Sequence, residues 1–142
     1  MATVTEHDVL EDPRNDPDHP IPNLNVIDVA AYRKGGGADL TIVIASPLAD
    51  DPRSQTRLLD KIQGYLGHIQ SDDFERDAGA KPTPVNTTIK VLIHPESASA
   101  VRHLLERCRP WVDSQSATLL VQDLDLGEGA SPNNLFERTR EG

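Results

Sequence analysis

The chain lacks most of what gives a function away. One cysteine in 142 residues, Cys108, excludes an intrachain disulfide. Cys108 falls on the apolar face of a predicted helix, where a buried thiol is the expected role. No His or Asp stands at a spacing that would make it a nucleophile. No apolar run approaches the roughly 20 residues that span a bilayer. The start, Met1 to Glu6, has neither the positive patch nor the apolar stretch of a signal peptide. The expectation is a cytoplasmic protein without a membrane role. A basic stripe is also missing, since Arg102, Arg107 and Arg109 stand among Glu and Asp. With a net charge of −9 a polyanion is repelled, so nucleic-acid binding is not expected. There is no nucleophile elbow, Walker loop, dinucleotide fingerprint or paired-cysteine motif.

What is present is a periodic block from Leu24 to Asp123, flanked by polar ends. Apolar residues make up 37% of the chain, against about 45–50% in an ordinary globular domain. The shortfall lies in residues 1–23 and 127–142, which are too polar to repay the entropy of ordering. These read as flexible tails around a single domain at residues 24–126.

Within the block, strand-like and helix-like rhythms alternate. Val26–Tyr32 is β-rich, and Leu40–Ala45 follows after Gly35-Gly36-Gly37, which reads as a hairpin loop because both its flanks are strands. Asp51 is a natural N-cap and Pro52 a natural first residue for a helix. That helix carries Leu58, Leu59, Ile62, Leu66 and Ile69 as one stripe, with Tyr65 at the stripe's edge and its hydroxyl near water. Residues 71–86 read as a long loop pinned by Phe74. Thr87–His94 is a third strand. A second helix begins near Pro95 and Ser97 and bears Val101, Leu104, Leu105 and Cys108; Pro110 should end or kink it. Ala117–Gln122 is a fourth strand. The order β-β-α-β-α-β predicts an α+β two-layer sandwich: a four-stranded mixed sheet, opened by an antiparallel hairpin, with two helices on one face.

Such a sandwich leaves a second face to the sheet. The alternation places Val26, Asp28, Tyr32, Val43, Lys90, Leu92, His94 and Leu120 there, a mixture too apolar for open solvent and too charged for a core. Val26, Val43, Leu92, Leu120 and Tyr32 are the candidate interface, unless Ile21–Leu24 folds back over them. Lys90, His94 and Glu96 form a candidate polar cluster able to support proton transfer if a pocket lies there. His103 and Glu106 share a helix face, short of the three ligands that zinc needs, and Asp123-Leu124-Asp125 is too short a pattern to stand as a metal site. No catalytic residue, metal ligand or cofactor site is assigned.

The block resembles a family of small bacterial proteins known only as a domain of unknown function. The likeness rests on Asn25-Val26-Ile27-Asp28-Val29, on the helix ending Leu59-Asp60-Lys61-Ile62-Gln63-Gly64-Tyr65-Leu66-Gly67-His68-Ile69-Gln70-Ser71, and on the run from Ile89 through Leu105. It covers residues 24–123. The family's Tyr-Pro after the first helix is replaced here by a longer, different loop. The resemblance implies shape without activity and transfers no residue roles. Together these readings favour a non-enzymatic protein-interaction module, a homodimer or the binder of a protein partner through the open sheet face. A small enzyme or ligand binder using Lys90 and His94 is the alternative. An accessory domain regulated through its tails is a third reading.

Overall fold

Asp51 starts the longest helix as its sequence requires. Its backbone is extended and its carboxylate accepts the Ser54 N–H, with Pro52 in the first turn. The structure is a computed structural model and describes residues 15–125; the expectations for residues 1–14 and 126–142 lie outside the described residues. The elements run β1 (Val29–Tyr32), β2 (Ala38–Ile44), α1 (Pro52–Ile69), α2 (Asp72–Ala78), β3 (Thr87–Ile93), α3 (Ser99–Ser114) and β4 (Thr118–Asp123). The sheet order is β1-β2-β3-β4, antiparallel between β1 and β2 and parallel thereafter. The order advances in one direction, so both long crossover helices pack on one face, and the expected α+β sandwich is the fold.

The packed face is a strict alternation. Ala38, Leu40, Ile42 and Ile44 of β2 and Thr87, Ile89, Val91 and Ile93 of β3 are all fully buried. Against them lie Leu58, Ile62, Leu66 and Ile69 of α1 and Val101, Leu105, Cys108 and Val112 of α3. Each large aliphatic side chain here contributes about 1.5–3 kcal/mol by leaving water. Burial also raises the Cys108 thiol pKa, which fits an inert core thiol. Glycine is required at Gly37: its φ is +107°, and a Cβ there would meet the Asn86 carbonyl oxygen at 2.1 Å. The hairpin loop is thereby pressed against the chain entering β3.

Five expectations are corrected. Residues 72–78 are helical, capped by the Ser71 hydroxyl and closed by Gly79 in the left-handed conformation; the Asp and Gly residues that suggested a loop are this helix's first turn and terminator. The helix α3 runs through Pro110 to Ser114. The proline lies on the exposed side, where water can bind the Glu106 carbonyl that it deprives of a donor. Tyr65 is 1% exposed, not a rim residue. The domain begins before residue 24, since Ile21 is 2% exposed and packs in the core. Finally, β1 is shorter than Val26–Tyr32 and in the opposite phase. Ala30 and Tyr32 stand opposite Leu40 and Ala38, so they face the helices, while Val29 and Ala31 stand opposite Thr41 and Asp39. A strand reading Val-Ala-Ala-Tyr, exposed throughout, has too little apolar contrast to reveal its phase.

Candidate functional site

The face of the sheet that no described element covers is a grid fixed by register. Asp39, Thr88 and Thr118 form one row, Val29, Thr41, Lys90 and Leu120 the next, and Val43, Leu92 and Gln122 the third. Each is half-buried or exposed, in contrast to the buried neighbours in β2 and β3 that point the other way. The first row is tied down by Arg33, which donates to Asp39 Oδ1 at 2.6 Å and to Thr88 Oγ1 at 3.1 Å. Lys90 sits at the middle of the second row. Among the described residues it has no hydrogen-bond or ion-pair partner; Thr41 and Leu120 flank it in its row, Thr88 and Leu92 along its strand, and Val43 stands diagonally. Among the described strand residues and their hairpin, this face carries the cations Arg33 and Lys90 and the carboxylate of Asp39.

The candidate interface residues separate. Val43, Leu92 and Leu120 share the open face. Tyr32 lies on the helix side against the ring of Phe74, with centroids 6.4 Å apart. Val26 precedes β1 and lines a groove of 220 Å³ with Ile27, Gly64 and His68. The polar cluster separates too. Lys90 and His94 are four strand positions apart, about 13 Å along an extended chain, too far for direct proton transfer. His94 Nδ1 accepts the Glu96 N–H of its own turn at 3.0 Å. Among the described residues no three His, Cys, Asp or Glu side chains are grouped to hold a metal ion. Asp123 is paired with Arg102 at 2.8 Å, and Glu106 with Arg109 at 2.6 Å.

Nothing from residues 15–28 covers the open face. That segment is clasped on the opposite side, along α1, by a row of polar side chains one helical turn apart. Arg57 Nε donates to the Ile21 carbonyl at 2.9 Å and its terminal nitrogen to the Pro22 carbonyl at 3.3 Å. Lys61 Nζ donates to the carbonyls of Asn23 at 2.5 Å and Val26 at 3.0 Å and to Asp28 Oδ1 at 3.1 Å. The Tyr65 hydroxyl accepts the Asp28 N–H and donates to the Thr41 carbonyl, both at 2.8 Å. Burial drives the Tyr65 pKa upward, which keeps it a hydroxyl donor. Asp28 Oδ2 then accepts the Val43 N–H. Side chains thus replace strand rungs where β1 diverges from β2, so that edge is closed to further pairing. Arg57 and Lys61 are 4% and 2% exposed. Sequence reasoning missed both because a Lys or Arg beside an apolar stripe normally reaches into water.

A second cluster joins the start of this strap to α1. His19 Nδ1 accepts the Ile21 N–H at 2.9 Å, so Nε2 carries the proton and donates to Ser54 Oγ at 3.0 Å. Ser54 Oγ in turn donates to Asp51 Oδ2 at 3.1 Å. Ser, His and Asp within reach suggest a nucleophilic triad, but the protons run the wrong way. A catalytic serine gives its proton to the histidine, whereas here the histidine donates to the serine. The cluster is a helix cap that holds a strap.

No helix among the described residues is long and apolar enough to cross a membrane. Comparison of the chain with protein-family models, with curated proteins and with solved structures finds no match.

Proposed function

We propose that this protein is a non-enzymatic binding module whose docking surface is the uncovered sheet face, and that it takes an amphipathic segment carrying a carboxylate among apolar side chains. The observation behind this reading is Lys90, which has no partner among the described residues and stands beside Leu92 and Leu120 with Val43 diagonally across. A cation bordered on one side by aliphatic groups complements an acid beside apolar residues. The size of the face points to a single segment. Four strands about 4.8 Å apart, of four to seven residues at about 3.3 Å each, give a patch of at most roughly 15 by 20 Å. That suits a helix about 10 Å across better than a globular partner, which needs about 800 Å² a side.

The test is a titration of the full chain with a synthetic amphipathic helix of Leu and Glu, followed through the methyl resonances of Val43, Leu92 and Leu120. Selective shifts that vanish in Leu92→Asp and weaken in Lys90→Glu support the reading. Shifts confined to the helical side, or unchanged in both variants, overturn it. Light scattering on the same samples separates self-association: a dimer that Leu92→Asp dissociates makes a second copy the occupant instead.

A further inference from the structure

The strap is fastened in two unlike ways. Its second half is held by an ammonium and a phenol hydroxyl, since Lys61 and Tyr65 grip the carbonyls of Asn23 and Val26 and the Asp28 N–H. Its first half adds to the Arg57 grip an imidazole that bonds in one protonation state. Residues 15–23 form a closed loop, in which Asn15 bridges Asn23, the Asp16 N–H donates to the Pro22 carbonyl and the His19 N–H donates to the Asp16 carbonyl. Apart from the Arg57 contacts and an Arg53–Asp16 ion pair, His19 fastens that loop to α1.

We propose that His19 is an acid-sensitive latch, whose protonation releases residues 15–22 from α1 while Asn23–Asp28 stays clasped. The chemistry is a change of sign at one atom. Neutral Nδ1 is an acceptor facing the Ile21 N–H. Protonated Nδ1 is a donor facing another donor, and the hydrogen bond becomes a repulsive contact. The ring also becomes a cation beside others. Arg57 and Arg53 of α1 oppose its charging, while Asp16 of the strap and Asp51 of the cap favour it. Burial, the largest influence, acts with the two arginines against the carboxylates, so the His19 pKa lies below its ordinary 6.5. In the released strap the ring regains its ordinary pKa. The open form therefore binds the proton more tightly, and attachment, complete above about pH 6.5, is lost as pH falls toward the lowered value. Release withdraws Ile21 from the core and bares apolar surface on α1. This inference is independent of the docking role of the other face.

The strap contains its own control. Ile21 and Asp28 each donate a backbone N–H to a side chain, one to His19 and the other to Tyr65. Amide hydrogen exchange of the full chain, corrected for the intrinsic effect of pH, should show Ile21 losing protection between about pH 7.5 and 5, with at most about tenfold per pH unit for one proton. Asp28 should keep its protection. In His19→Asn the side-chain oxygen can still accept the Ile21 N–H but does not titrate, so the acid response of Ile21 should disappear. In His19→Ala Ile21 should exchange fast at both pH values. The latch is disproved if Ile21 is equally protected across the range, if Asp28 opens with it, or if His19→Asn responds to acid as the wild type does.

Discussion

The two faces of this sheet are built from the same strands and obey opposite rules. On the helical face every strand residue of β2 and β3 is fully buried, and the cations brought there, Arg57 and Lys61, are bonded to carbonyls and a carboxylate. On the other face the side chains are half-buried, and Lys90 has no partner among the described residues. One face is finished and the other left incomplete. A residue's position in the two-residue period, more than its type, decides what its substitution should cost.

The sharpest way to break that contrast is to substitute neighbours. Ile42→Ala opens a void in the core and should lower stability by about 3 kcal/mol, whereas Val43→Ala, one residue on, should cost well under about 1 kcal/mol; urea unfolding of the pair measures the difference. Next in size is the clasp. Lys61→Ala leaves two carbonyls and the Asp28 carboxylate without their donor. It should cost about 2–3 kcal/mol, below the full penalty for a broken buried pair because Asp28 is partly exposed. On the open face Lys90→Ala should stay within about 0.5 kcal/mol. Smaller than the Lys61 effect, though larger than the Lys90 one, Tyr65→Phe leaves the Asp28 N–H and the Thr41 carbonyl without their hydroxyl partner, for about 1–2 kcal/mol in the same assay. Gly67→Ala should go the other way. Nothing lies within 4 Å of the added methyl, so better helix propensity should raise stability by about 0.5–1 kcal/mol, visible as a higher unfolding midpoint.

The sequence showed the sheet's helical face well and its surroundings poorly, for identifiable reasons. Strict alternation in β2 and β3 and the Asp51-Pro52 cap are local signals, and each reports its own backbone. The strap is not local. Ile21 and Leu24 stand among Pro, Asn and Asp, and their burial depends on Arg57 and Lys61 more than thirty residues away. The phase of β1 was hidden because its hairpin and the Asp28–Tyr65 contacts set its register, not its weak apolar pattern. Of the candidate site, Val43, Leu92 and Leu120 were legible from period two. Val26 and Tyr32 were misplaced by extending that period through a run that is only partly strand.

The grip of Arg57 and Lys61 on carbonyl oxygens has a consequence for how this chain can change over time. Main-chain carbonyls belong to every residue, so the lettering of Pro22, Asn23 and Val26 is free to drift without loosening the hold. The burden of inheritance falls instead on the two gripping side chains and on the apolar anchors Ile21 and Leu24. Divergent descendants would carry straps that look unrelated above a helix that keeps its cations.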